Sequence, residues 1–246
     1  MKIIVVYNHK GGVTKTTTSI NSATFLQAYY DRKVCIIDCD DEQWSTYEEH
    51  QREMEEVQLK YNHDALAIQS DITSKVLVNY DVEKCLVKNF EQKLAQLSEE
   101  AYDYIFVDLG NRTLAQSSYV FSLADQIIVP YSNDMNEIRE AIGFYQTIRE
   151  NYPLITIHCV VVKIDKSRVD NHSKIKANLI ENYGLKYYDN IILDRIHYVN
   201  NRSFFYPLSF KRETKDYNSG FVSFVEELIM KSEGIKPISN LTLETA

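Results

Sequence analysis

Two lysines bracket a pair of glycines in Lys10-Gly-Gly-Val-Thr-Lys-Thr-Thr-Thr18, directly after the apolar run from Ile3 to Tyr7. A β-branched run that ends in a glycine-containing loop and then opens a helix brings backbone N–H groups and a lysine onto a polyphosphate. It does so because the first N–H groups of a helix have no partner within it and carry partial positive charge. The usual phosphate loop is spaced G-x-x-x-x-G-K-[ST], with the lysine on the β/γ-phosphates and the hydroxyl on Mg2+. Lys15 and Thr16 stand at those two positions, and Lys10, Gly11, Gly12, Val13, Thr14 and Thr17 complete the candidate nucleotide-binding set. The plainer alternative is a strand-to-helix turn that happens to carry two lysines. One residue departs from the pattern: Thr14 stands where the loop glycine belongs. A β-branched residue with φ > 0 is strained by roughly 1–3 kcal/mol. Either the loop relaxes at Thr14 or nucleotide affinity falls.

Three aspartates follow at ends of apolar runs. Asp38 closes Lys33-Val-Cys-Ile-Ile-Asp38, with Asp40 two residues on, and Asp108 closes Tyr104-Ile-Phe-Val-Asp108. Strand periodicity puts side chains two apart on one side, so Asp38 and Asp40 are expected to face one crevice at the C-terminal edge of a sheet. Asp108 has the setting of a carboxylate that holds Mg2+ through its water shell, giving Thr16, Asp38 and Asp108 as the candidate metal set. Helix N-capping by Asp40 or Asp41 is the simpler alternative for the acidic turn. Gly110 either presents its N–H to a γ-phosphate or lets the chain turn.

The elements that must position these residues alternate between strand-like and helix-like patterns, the sign of a mostly parallel sheet covered on both faces. After the first strand, 16–30 reads as helix, 33–38 as strand, 44–60 as exposed helix, 65–69 as a short strand and 82–101 as a long amphipathic helix carrying Leu86, Phe90, Leu94 and Leu97 on one face. Strands are expected at 104–108, 126–130, 156–164 and 190–193, with helices to about Leu123 and over 136–151, 174–183 and 218–231. The fold class is therefore α/β, with a twisted, mostly parallel sheet flanked by helices; with the phosphate loop after its first strand, the arrangement resembles the three-layer P-loop NTPase fold. Residues 1–235 are expected to form a single domain, and 236–246 a flexible tail.

The chain has 246 residues, 44% of them apolar, enough for one sizeable core. Cys35, Cys39, Cys85 and Cys159 form no C-x-x-C pair and no metal-ligand spacing, and the six histidines show no ligand spacing either. Reduced thiols and the lack of an apolar run near 20 residues point to a soluble, cytoplasmic protein without a membrane span. Net charge is −8, but residues 1–150 hold 14 basic and 24 acidic side chains whereas 151–236 hold 13 and 10. The late segment is locally cationic.

With Lys10 placed before Gly11-Gly12, the loop resembles the deviant Walker A motif of the ParA/MinD family of P-loop ATPases, closest to ParA partition ATPases and including the ParA-like TraA proteins of conjugative elements. Asp38-Cys-Asp-Asp-Glu-Gln43 resembles that family's switch segment D-x-D-P-Q with Glu42 in place of proline, and Ala124-Asp-Gln-Ile-Ile-Val-Pro130 its A-D-x-x-x-x-P strand. Asp194-Arg-Ile-His-Tyr198 is similar to its I-x-x-R segment.

The resemblance implies ATP and Mg2+ as cofactors, with Lys15 on the phosphates and Lys10 reaching the nucleotide of a partner subunit in an ATP-sandwich homodimer. It also implies that Asp40 orients the attacking water while Asp38 supports the magnesium and water network. Slow hydrolysis stimulated by a ParB-like or other adaptor would follow, with non-specific DNA binding and nucleoid association in the ATP state. Lys174, Lys176, Arg202, Lys211, Arg212 and Lys215 are the candidate DNA contacts, against the alternative of a solvated loop. Lys163 and Pro207 are candidates for the adenine. Two other readings stand beside this one: a MinD-like positioning ATPase, and an ATP-binding scaffold with little hydrolysis because of Thr14. A MinD-like membrane helix should be basic; the apolar face from Phe221 to Ile229 lies among Glu226, Glu227 and Glu233, which favours core packing.

Overall fold

The computed structural model describes residues 1–10, 12, 14–74, 76–164, 169–193, 198, 200, 202–208 and 220–235. The expected tail at 236–246 lies outside the described residues, as do Gly11, Val13, Lys211, Arg212 and Lys215.

The β-branched runs form strands β1 (Lys2–Val6), β2 (Val34–Asp38), β4 (Tyr104–Asp108), β5 (Gln126–Tyr131) and β6 (Thr156–Ile164). Together with β3 (Asp81–Lys84) and β7 (Ile192–Leu193) they make one seven-stranded sheet in the order β3-β2-β4-β1-β5-β6-β7. Every described pairing is parallel. A parallel sheet needs crossover helices, which cover both faces, and this is why the strands read as continuous apolar runs rather than alternating ones. The period of two survives in the core: Ile3, Val5 and Tyr7 pack on one face, Ile4 and Val6 on the other.

Helices α4 (Phe90–Ser98), α5 (Leu114–Ser122), α6 (Met135–Asn151) and α7 (Val169–Tyr183) cover the first face. The other face is covered by α1 (Lys15–Tyr30), α2 (Ser45–Lys60), α3 (Ala65–Thr73) and α8 (Phe221–Glu233). The expected three-layer α/β fold is thus the one the chain adopts. Helix α1 lies buried between the sheet and α8, although threonine and serine are mediocre helix formers. Their hydroxyls turn back onto the helix, Ser19 on the Lys15 carbonyl and Thr24 on the Ile20 carbonyl, while Asn21 reaches the Tyr198 carbonyl. Packing overrides propensity here.

Two expectations need correction. Residues 65–69 form the start of helix α3 and not a strand, because Asp64 caps it through the N–H groups of Leu66 and Ala67. The expected helix at 82–101 splits: Asp81–Lys84 is edge strand β3, Val87–Asn89 is a 3-10 turn, and only Phe90–Ser98 is α-helical. An edge strand buries little, so charged residues sit in it without cost and Asp-Val-Glu-Lys carries no strand signature. Helix α8 buries Phe221, Phe224, Val225, Leu228 and Ile229, as core packing predicts. Among the described residues no helix is long and apolar enough to cross a membrane.

Two histidines packed into this fold have depressed pKa values, His158 despite the nearby Asp189 charge. His158 on β6 stands 5.5 Å from the Tyr188 ring, and burial, reinforced by Lys231 and Lys186, pushes its pKa down to about 4. His172 on α7 lies 2.6 Å from the Asn133 side-chain oxygen, and burial, with Lys176 nearby, also brings it to about 4. The fold keeps both imidazoles neutral, so their contribution is present above the unfolded value near 6.5 and is lost as pH falls from about 6.5 towards 4, up to about 3 kcal/mol each. Urea midpoints measured across that window should fall, and the fall should be shallower in the His158→Gln/His172→Gln variant.

Candidate functional site

Strands β2, β4 and β1 are neighbours, so the loops that leave their C-terminal ends converge at one edge of the sheet. The first runs from Tyr7 into α1. Asn8 fixes its start by donating to the Pro130 carbonyl at 2.7 Å and accepting the Lys10 N–H at 3.1 Å. Gly12 has φ 79°, which glycine adopts freely, and space is open where a Cβ would stand. Thr14 sits at the head of α1 with φ 61° and ψ 25°, so the loop does not relax around it: the glycine geometry is kept and the threonine is strained. Its hydroxyl is buried and has no hydrogen-bond partner.

Lys15 is 8% exposed, and its ammonium donates to the Lys10 carbonyl at 3.1 Å. Burial lowers its pKa, opposed by the charge of Asp108. Thr16 donates through its hydroxyl to Asp108 at 2.8 Å. Asp108 also accepts the Thr46 hydroxyl at 2.7 Å and the Gly110 N–H at 3.0 Å.

The second loop follows β2, whose Asp38 lies opposite Asp108 in the sheet. Asp38 is fully buried, and its two oxygens accept the N–H groups of Asp40 and Tyr47 at 2.9 and 3.0 Å. Burial raises its pKa to about 6, opposed by those two hydrogen bonds. The two aspartates do not share the crevice: Asp40 lines it, while Asp38 faces the turn it holds. The period-two argument fails because β2 ends at Asp38 and the chain turns before Asp40. Burial and then the Asp108 charge raise the Asp40 pKa. Gly110, with φ 57°, supplies the clearance, since a Cβ there would collide with the Asp40 carboxylate.

Around these groups lies a cavity of about 310 Å³ bounded by Gly12, Thr14 to Thr17, Asp40, Gln43, Ser45, Gly110, Asn111 and Lys163. Lys163 reaches in with its ammonium 2.6 Å from the Gly12 carbonyl, from a backbone at φ 55°. The wall combines a desolvated ammonium, an unpartnered hydroxyl and the Thr16 hydroxyl, which is bonded to the Asp108 carboxylate. That donor set fits an anionic phosphate chain with a hard, oxygen-seeking cation.

Other expected residues lie elsewhere. Lys10 points away from the cavity and forms ion pairs with Asp134 and Glu137 at the head of α6, both at 3.3 Å. The guanidinium of Arg202 is engaged by Glu49 and by Thr17, and Lys176 by the Tyr188 carbonyl and Asp189. Lys174 is exposed on α7, while Pro207 is absent from the cavity wall. Thr46, Ser45 and Asn111 escaped sequence reasoning because no spacing ties them to the phosphate loop. So did Arg112, which donates to the Cys39 carbonyl at 2.8 Å and pairs with Asp41, strapping the β2 loop to the β4 loop.

Residues 1–152 match the AAA_31 family, described as an AAA domain. Among solved structures the chain is similar to a plasmid partition protein from Borrelia burgdorferi B31 bound to AMPPNP, with TM-score 0.61 and 20% identity over 94% of this chain and 99% of that one. It also resembles cobyrinic acid a,c-diamide synthase from Mycobacterium smegmatis with bound ADP and magnesium, with TM-score 0.57 and 16% identity over 97% and 98% of the two chains. A third likeness is to MinD in the MinC:MinD cell division complex of Aquifex aeolicus, with TM-score 0.54 and 18% identity over 95% and 89%. The chain belongs to the AAA_31 family and carries the fold of the ParA/MinD-type P-loop ATPases.

Proposed function

We propose that this chain is a ParA-like ATPase that binds ATP with Mg2+ and pairs with a second copy across the bound nucleotides. In that state it associates with DNA without sequence preference, and slow, partner-stimulated hydrolysis drives partition or positioning of plasmid, chromosomal or conjugative-element DNA. The observation that carries this proposal is the gathering of Lys15, the Thr16–Asp108 pair and Asp40 around one cavity at the C-terminal edge of the sheet. The nucleotides and magnesium in the similar Borrelia and mycobacterial structures support the choice of ligands.

In this proposal the desolvated Lys15 ammonium and the α1 N-terminus neutralise the β- and γ-phosphates. Bound Mg2+ supplies further neutralisation of phosphate charge, with Thr16 and Asp108 as the residues that hold it. Asp40, its carboxylate resting on Gly110, orients the attacking water, and Asp38 holds the turn that carries Asp40. DNA association rests on the cationic character of residues 151–236 together with the family resemblance. An ATP-binding scaffold with little hydrolysis is the second reading, and the strained Thr14 is what favours it.

Lys10→Ala and Lys15→Ala separate the two lysines. Lys15→Ala should lose ATP binding in equilibrium dialysis. Lys10→Ala should still bind ATP yet remain monomeric by light scattering under saturating ATP and Mg2+, where the unmodified chain dimerises; a monomeric unmodified chain under those conditions would overturn the sandwich. Asp40→Ala should retain ATP with turnover abolished, and Gly110→Ala should copy it, because the new methyl group displaces the same carboxylate. Turnover measured by phosphate release distinguishes ATPase from scaffold.

Thr14→Gly should relieve the left-handed strain, tightening ATP binding by up to about tenfold if ~1.4 kcal/mol is recovered. Unchanged affinity by titration calorimetry would mean that the threonine hydroxyl offsets the strain by contacting the ligand.

A further inference from the structure

We infer that Cys39 and Cys85 form an oxidant-sensitive thiol pair, which a peroxide reaching Cys85 converts into a disulfide at the foot of the segment that carries Asp40. The two residues follow β2 and β3 directly. Those strands pair in parallel up to Asp38 opposite Lys84, a pair closed by the Cys85 N–H donating to the Asp38 carbonyl at 2.9 Å. Cys39 and Cys85 are therefore the next cross-strand neighbours. Adjacent strands lie about 4.8 Å apart, inside the roughly 4.4–6.8 Å Cα separation that a disulfide spans. Both side chains belong to one buried cluster. The remaining cysteines lack such a neighbour: Cys35 lies opposite Asp81 and Cys159 opposite Val129.

Access divides the roles. Cys39 is fully buried, whereas Cys85 lines a cavity of about 330 Å³ together with Trp44, Lys84, Lys93 and Gln96. A small oxidant meets Cys85 first. Its sulfur attacks one oxygen of hydrogen peroxide, the O–O bond breaks, and the products are a Cys85 sulfenic acid and water. The Cys39 sulfur then attacks the sulfenic sulfur; the S–S bond forms, the S–O bond breaks, and the Cys39 proton leaves with the hydroxyl as a second water. Two thiols are oxidised and one peroxide is reduced.

The tether acts on the candidate site because Cys39 anchors the β2 loop. Its N–H donates to the Asp108 carbonyl at 2.8 Å, and its own carbonyl accepts Arg112 at 2.8 Å and the Asp41 N–H at 3.1 Å. Bonding it to β3 fixes the backbone between Asp38 and Asp40 and removes the freedom of Asp40 to re-aim. This consequence rests on the proposed ATPase function; the disulfide itself does not.

The full-length reduced chain is exposed to hydrogen peroxide, quenched by alkylation, and examined by intact mass and peptide mapping. The expected result is the loss of two hydrogens and a single Cys39–Cys85 crosslink, absent in Cys39→Ser and in Cys85→Ser and reversed by dithiothreitol. Crosslinks to Cys35 or Cys159, or Cys85 driven to sulfinic acid with Cys39 untouched, would overturn the pair. In parallel, the oxidised chain should lose ATP turnover and regain it with dithiothreitol, while Cys85→Ser keeps its turnover through peroxide treatment. A crosslinked chain with full turnover would overturn the link to Asp40. A reduced chain without turnover would count against the ATPase function and leave the crosslink measurement standing.

Discussion

The Asp108 carboxylate is the contact on which the candidate site depends. A buried carboxylate is tolerated only where donors replace the water it has lost, and Asp108 takes one donor from each of three segments: Thr16 of α1, Thr46 of α2 and Gly110 of its own loop. Hydrogen bonds to a charged group contribute roughly 1.5–3 kcal/mol each, so one side chain at the end of β4 ties the phosphate loop, the β2 loop and the β4 loop into one unit. Lys15 adds the opposite charge nearby, seen in the way Asp108 opposes the loss of its proton.

From Asp108 the contacts continue along α2. The first turn of this helix touches Asp108 through Thr46 and Asp38 through the Tyr47 N–H. Further along, Glu49 pairs with Arg202, and Glu53 accepts the Ser203 hydroxyl and the Phe204 N–H. His50 stacks on Phe205 and meets Phe204 edge-on. Glu53 is buried enough for its pKa to rise, and leaving those donors unpaired would be costly. Any shift of the α2 N-terminus must therefore break these bonds or carry residues 202–205 with it. Arg202, expected on the surface for DNA, is instead part of this latch.

The legible and illegible features separate by the range of the interaction that sets them. The phosphate loop, the aspartates at strand ends and the buried strands are written in local spacing, because each is fixed by residues within a few positions of one another. The register that brings Cys39 beside Cys85, the approach of Asp40 to Gly110 and the bond from Thr46 to Asp108 join residues 46 to 70 positions apart. Nothing local marks them. Strand β3 was illegible for a different reason: an edge strand buries only one residue firmly, Val82, and charged neighbours mask it as part of the following helix.

Thr14 and Lys10 show how a local preference yields to its surroundings. Asn8, the α1 N-terminus and Lys15 define the loop path so tightly that Thr14 adopts a glycine's backbone angles at its own expense. Lys10 is the opposite case. Its ion pairs with Asp134 and Glu137 are exposed to solvent, and pairs of this kind contribute little after side-chain entropy and screening. A phosphate oxygen in a water-excluded interface attracts an ammonium more strongly than that, because the interaction grows as the dielectric falls. The loop thus combines a rigid backbone that fixes one cation, Lys15, against the site with a weakly held second cation that a stronger anion can draw away.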